Sequence, residues 1–204
     1  MSLSARAAVS AMRFAKRLGL FPKPGDLGSE IAKARAFNQK HPYREPSDHK
    51  ARYSTEHIGG YPVLIVKPLG VSRNKAILFL HGGGDKDAWR PEVAFARTYG
   101  KRTSADVFYP LYPPFTEAPV GKTADLIYEV YVKLAKDYGA KNIAVVGGSY
   151  GGFLAMQLIT WINRKGNAVD MPALLIMNSP FALPEAEEEW ALARQYEKID
   201  PMIP

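Results

Sequence analysis

Ser149 stands in the run Gly147-Gly148-Ser149-Tyr150-Gly151-Gly152, directly after Ile143-Ala144-Val145-Val146. The four apolar residues, two of them β-branched valines, predict a short buried strand. Phe153, Leu154, Met156, Gln157, Leu158 and Ile159 predict a helix beyond the glycines. A serine between strand and helix, with glycine two places to each side, has the G-x-S-x-G spacing of a nucleophile elbow. The chemistry explains the spacing. A nucleophilic hydroxyl must project from the tip of a very tight turn. Side chains two residues either side of it would collide, so Gly147 and Gly151 suit those positions. The turn also puts the Tyr150 amide at a helix N-terminus, where it can face a developing negative charge. Taken alone, the same run also fits an ordinary glycine-rich turn.

A second stretch points to the same chemistry. Ala76-Ile77-Leu78-Phe79-Leu80 predicts another strand and passes directly into His81-Gly82-Gly83-Gly84. A His-Gly-Gly-Gly turn after an early strand is the oxyanion-hole loop of lipases and esterases. Its glycines let backbone amides approach a substrate carbonyl with no side chain between. With both motifs on strand ends and in this order, the chain resembles α/β-hydrolases of the hormone-sensitive-lipase-like esterase group. Tyr109-Pro110-Leu111-Tyr112-Pro113-Pro114 is similar to the Y-x-L-A-P-E stretch after that group's fourth strand. Asn178-Ser179-Pro180-Phe181 is similar to the S-P-W after its sixth, and Asp200-Pro201-Met202 to a later D-P stretch. The resemblance covers roughly residues 51–204. It implies Ser149 as nucleophile, with the amides of Gly83, Gly84 and Tyr150 as the oxyanion hole. His81, Gly82, Gly147 and Gly151 would be structural residues beside the site, His81 bracing the loop. It implies a small acyl ester as substrate, and no cofactor or metal.

One part of the pattern is missing. A serine hydroxyl needs a base, and in this fold the order is serine, acid, histidine. His41, His49, His57 and His81 all precede Ser149, and 55 residues follow it. Asp170 and Asp200 follow the serine, but neither sits after a strand as the acid should. The expectation is a chain truncated after the sixth strand, with little turnover. Three positions depart from the group: Gly148 where Asp is usual, Tyr150 where Ala is usual, and Asp85 where an aromatic often stands. Gly-Gly-Ser-Tyr-Gly-Gly is closer to prolyl-oligopeptidase-like serine peptidases. Their N-terminal propeller has no room in about 50 preceding residues.

The elements that must position these residues follow from the rest of the chain. Its 204 residues suit one hydrophobic core. Alternating strands and helices predict a mostly parallel sheet with helices on both faces, and sites on such sheets lie at the carboxyl ends of the strands. Residues 1–50 are expected to form an N-terminal helical cap, with helices over Ser2–Leu20 and Ile31–Phe37, and residues 51–204 an incomplete α/β-hydrolase core. Tyr53–Ile58, Gly59-Gly60 and Tyr61–Val66 predict a hairpin. Helices are expected over Glu92–Tyr99, stopped by Gly100, over Thr123–Tyr138, stopped by Gly139, and over Glu185–Glu197. Further strands are expected at Ala105–Tyr109 and Ala173–Met177. Ending there, the sheet would expose an apolar edge strand, through which a homo-oligomer could form.

Composition narrows the function classes. The net charge is +7, yet residues 61–204 carry 16 Lys/Arg and 15 Asp/Glu, so the excess belongs to the N-terminal arm. No nucleic-acid motif accompanies it, and nucleic acid is not an expected partner. There is no apolar run long enough for a membrane span. The absence of cysteine excludes disulfides and thiolate metal sites and fits a cytoplasmic protein. Two alternatives to the esterase reading stay open: a non-catalytic α/β-hydrolase-fold binding protein, and a serine peptidase. A dinucleotide-binding turn is not supported, because the glycine spacing differs from G-x-G-x-x-G.

Overall fold

The computed structural model describes Phe14 and residues 27–46, 48–70, 74–84, 90–115, 117–166 and 168–180. Apart from Phe14, the expected helix over 2–20 lies outside these residues. So do the helix over 185–197, Asp85, Phe181 and Asp200. One compact unit spans Ala34–Pro184 and a second takes in Met1–Lys33 with Glu185–Pro204.

The elements run α1 (Leu27–Lys40), β1 (Ala51–Ile58), β2 (Tyr61–Pro68), β3 (Lys75–Leu80), α2 (Arg90–Thr103), β4 (Ala105–Pro110), α3 (Val120–Tyr138), a 3-10 turn (Ala140–Asn142), β5 (Ile143–Gly148), α4 (Tyr150–Arg164) and β6 (Leu174–Asn178). They build a six-stranded sheet in the order β1-β2-β4-β3-β5-β6. β2 is antiparallel to both of its neighbours, and β4, β3, β5 and β6 are parallel to one another. The fold class is the expected one in its architecture: an α/β sheet, mixed but mostly parallel.

Strand alternation divides the core between two faces. Val63 and Ile65 of β2 and Leu78 and Leu80 of β3 pack with α3 and α4. Leu64 and Val66, with Ile77 and Phe79, pack with Val93 and Ala96 of α2. α3 buries Ala124, Ile127, Val130, Tyr131 and Leu134 on one face, each large side chain contributing about 1.5–3 kcal/mol of burial. Gly139, at φ 77°, ends that helix and donates its N–H to Ala135 O, a turn that glycine makes without steric penalty.

One expected boundary is corrected. α2 does not stop at Gly100 but runs to Thr103. A Cβ at Gly100 would lie 2.7 Å from Val107 Cγ2 and 2.9 Å from Ala105 O. This glycine serves close helix-to-strand packing. The chain turns at Ser104, which has φ 54°.

β6 pairs with β5 and, among the described residues, with nothing on its other side. Its apolar side chains are correspondingly open, with Leu174 50% and Ile176 39% exposed. Leu174, Ile176, Ile77, Tyr99, Ala144 and Val146 line a 260 Å³ groove on the α2 side. Apolar surface of this kind binds hydrophobic dyes and other chains. We expect the chain to bind ANS and to self-associate on size-exclusion chromatography with light scattering. The double substitution Leu174→Lys, Ile176→Lys should suppress both and leave the urea midpoint almost unchanged. An undiminished dye signal in that variant would locate the apolar surface elsewhere.

Candidate active site

β3 and β5 are parallel neighbours, and Leu80 is in register with Gly147. Their carboxyl ends therefore release His81-Gly82-Gly83-Gly84 and Gly148-Ser149-Tyr150 side by side. Contact within the elbow, and between the elbow and the end of β3, is backbone on backbone. A Cβ at Gly147 would lie 2.2 Å from Gly151 O, and one at Gly151 would lie 2.1 Å from Leu80 O and 2.5 Å from His81 O. No side chain fits at either position.

Ser149 has φ 51° and ψ −121°, a strained conformation for a residue with a side chain, costing about 1–3 kcal/mol. Its N–H is held by Asn178 O at 2.9 Å and its carbonyl accepts from Phe153 N–H at 3.1 Å. Its side chain is exposed and caps no helix amide. Tyr150 opens α4, so its N–H has no acceptor within the helix. The ring of Tyr150 is buried. It packs on Gly84, where a Cβ would meet Tyr150 Cγ at 2.7 Å and Phe115 Cδ1 at 2.8 Å.

The glycine loop is held peptide by peptide. His81 O accepts from the Tyr112 hydroxyl at 2.5 Å, and the N–H of the same peptide, on Gly82, donates to Glu92 Oε1 at 3.0 Å. Gly82 O lies 2.9 Å from His81 Nδ1. A carbonyl can only accept, so Nδ1 carries the hydrogen and Nε2 is a bare acceptor. Gly83 turns at φ 65°, and Gly84 O accepts from Phe115 N–H at 2.8 Å. The Gly82 amide is thus engaged by Glu92 and is not available to a ligand.

His81 is 1% exposed. Its ring stacks on Tyr112 at 4.0 Å and on Tyr109 at 5.5 Å between centroids. Burial pushes its pKa down to about 4, against a smaller opposing effect of the bond to Gly82. It is neutral at pH 7, and Nε2 is buried with no hydrogen-bond partner among the described residues. Burial pushes the Glu92 carboxyl up, with hydrogen bonds from Gly82 and Tyr109 working the other way.

The other histidines are not brought to Ser149. His57 lies on β1, the far edge of the sheet from β6. His41 stacks on Phe37 at the end of α1. His49 lines an exposed groove with Arg97 and Lys101. Asp170 precedes β6 and so sits at the amino ends of the parallel strands, where its carbonyl accepts from the Tyr131 hydroxyl at 2.6 Å. Among the described residues no three His, Asp or Glu side chains could share a metal ion. No helix among them is long and apolar enough to cross a membrane. The sequence reading missed Glu92, the Tyr109–Tyr112 sandwich and the Asn178 carbonyl. Glu92 directly follows a proline at a helix start, the only local hint of its role.

A profile of the α/β-hydrolase fold family matches residues 77–203. The chain belongs to that family. Solved structures agree in fold. A candidate esterase from Staphylococcus aureus superposes with a TM-score of 0.70 at 22% identity, over 89% of this chain and 62% of that one. An esterase/lipase from an uncultured bacterium gives 0.68 at 21%, over 94% and 64%. A hormone-sensitive lipase from a metagenome library gives 0.64 at 25%, over 86% and 57%. The chain thus spans less than two thirds of these structures. No curated protein matches it.

Two outcomes follow from this geometry. Gly151→Ala should destabilise the fold by ~3 kcal/mol or more, because backbone must move. Gly148→Ala should cost less than ~1 kcal/mol, since its Cβ would be 3.8 Å from the nearest atom, Asn178 O. Urea denaturation compares them, and equal losses would contradict the packing. The second concerns pH. His81 binds its proton less readily in the folded chain than in the unfolded one. Its contribution is complete above the unfolded pKa of 6.5 and is lost as pH falls toward 4, an effect of about 3 kcal/mol. Glu92, whose pKa is raised, acts in the opposite direction over the lower part of that range. Unfolding free energies from pH 7 to 4 should therefore fall less steeply in His81→Asn than in the native chain. An identical slope would mean that His81 is charged when buried.

Proposed function

We propose that this chain is a serine hydrolase scaffold of the carboxylesterase type, forming an acyl-enzyme on Ser149 with small acyl esters. The observation that carries the reading is the strained, exposed Ser149 packed against the glycine loop, where a Cβ on Gly82 would lie 3.5 Å from Ser149 Cβ. Ser149 Oγ attacks the ester carbonyl carbon and a C–O bond forms. The carbonyl oxygen becomes an oxyanion, accepting hydrogen bonds from the amides of Gly83, Gly84 and Tyr150. Collapse breaks the bond to the alcohol oxygen, which takes up the Ser149 hydroxyl proton by way of solvent water, and leaves the acyl group on Ser149; a water molecule then adds to the acyl carbon and releases the acid. Tyr112, Glu92 and His81 hold the amides in place beforehand, so little reorganisation is needed as charge develops.

The proton from Ser149 has no acceptor among the chain's histidines in this arrangement, because His81 is spent on the loop. Turnover should therefore be low, with acceleration of ~10³–10⁴ over water from the oxyanion hole and binding. That same observation favours a second reading, a hydrolase-fold binding protein without catalysis. One experiment separates them. With p-nitrophenyl butyrate, the esterase reading expects a butyryl adduct on Ser149 by mass spectrometry, absent in Ser149→Ala, with slow release of p-nitrophenol. A peptide p-nitroanilide, run in parallel, tests for peptidase preference. No adduct with either compound, or adducts on other residues only, would overturn the esterase reading and favour the binding protein.

A further inference from the structure

We propose that Glu92 is a positioning residue for acyl transfer at Ser149, holding the peptide between His81 and Gly82 so that the next amides of the loop face the serine. The inference rests on the esterase reading above and assigns a role to a residue outside both glycine motifs.

The geometry is specific. Glu92 sits in the first turn of α2, where an acidic side chain is favoured by the helix dipole. Its Oε1 reaches back ten residues to accept from the Gly82 N–H at 3.0 Å. Gly82 approaches both this carboxyl group and Ser149. A Cβ placed on Gly82 would be 3.4 Å from Glu92 Oε1 on one side and 3.5 Å from Ser149 Cβ on the other.

The His81–Gly82 peptide is clamped at both ends, its oxygen by Tyr112 and its N–H by Glu92. Rotation of that plane would carry Gly83 with it, and glycine offers no side-chain resistance to such rotation. The following peptide is held through Gly82 O by His81 Nδ1, so its N–H, on Gly83, points the opposite way. Gly84 is fixed independently by Phe115. Without Glu92 the first plane keeps one of its two restraints, and the direction of the Gly83 amide loosens.

The charge of Glu92 is not what the reaction needs. A carboxylate one residue from a developing oxyanion opposes it. Its contribution is the position of an acceptor atom, and a neutral acceptor in the same place serves equally well. Glu92→Gln keeps that atom and Glu92→Ala removes it.

The full chain, both variants and Ser149→Ala are compared by single-turnover reaction with p-nitrophenyl butyrate and by ¹H–¹⁵N spectra of the glycine amides. Loss of oxyanion-hole geometry in Glu92→Ala should lower the limiting acylation rate about 10–100-fold, with the half-saturating ester concentration unchanged. Glu92→Gln should stay within about threefold of the native chain or exceed it, since burial and not charge governs the site. The Gly83 resonance should shift or broaden in Glu92→Ala and stay in place in Glu92→Gln and Ser149→Ala. Native-like acylation in Glu92→Ala, or equal loss in both variants, overturns the proposal. If no variant acylates, the esterase reading has failed. The spectra then decide this inference alone, and an unmoved Gly83 resonance in Glu92→Ala overturns it. Should Glu92→Ala not fold, acylation and spectra of Glu92→Gln carry the test, native-like values supporting the proposal and loss overturning it.

Discussion

The structure depends on one close approach, the backbone contact between the end of β3 and the first turn of α4. At Gly151 the space for even a methyl group is taken by the carbonyls of Leu80 and His81, and at Gly147 by the carbonyl of Gly151. Two parallel strands in register deliver two turns to the same place, but ordinary side chains would hold those turns apart. Glycine at 147 lets the elbow close on itself, and glycine at 151 lets it settle against the end of β3 and His81. Ser149 is then forced into a left-handed conformation that a serine in a relaxed turn would leave. The strain is sustained because the surrounding backbone is fixed on three sides, by β5, by α4 and by the Asn178 carbonyl at the end of β6.

A second constraint follows from the first. A loop of three glycines has little conformational preference of its own, and a set of amides aimed at one point requires that the preference be imposed. Here successive peptide groups are each tied to a neighbour: Tyr112 and Glu92 on one, the His81 ring on the next, Phe115 on the carbonyl of Gly84. The cost is the burial of polar groups. His81 gives up its charge to lie between two tyrosine rings, with one ring nitrogen that has no partner among the described residues, and Glu92 accepts a raised pKa. Buried polar groups that stabilise a strained loop, at a loss to the rest of the fold, are characteristic of sites built for geometry.

The sheet shows a different balance at its other end. The apolar side chains of β4, β3 and β5 are buried, apart from half-buried Ala144 on the groove side of β5. β6 has the same apolar composition but lies at the edge of the described sheet, half exposed. Yet this strand reaches the site, because its last residue supplies the acceptor for the Ser149 amide. The elbow is thereby tied by a backbone hydrogen bond to the edge strand of the described sheet.

Much of this was legible in the amino-acid order alone. Apolar runs of β-branched residues marked the strands, periodic apolar residues marked α3 and α4, and the glycine spacing around Ser149 and after His81 marked two turns at strand ends. These signals are local, and local sterics determine them: period, turn chemistry and the space that only glycine leaves. The helix boundary at Gly100 misled for the same reason, since a glycine that ends a helix and one that lets a helix approach a strand are written identically. What only the tertiary structure decided was the partnership between distant residues. Glu92 against Gly82, Tyr112 against His81, and Asn178 against Ser149 are separated by 10, 31 and 29 positions. Their meeting depends on the order β4-β3-β5-β6, which no window of sequence contains. The residues that could do chemistry are thus set by sequence, and the direction in which their amides and hydroxyl point is set by the packing of the sheet.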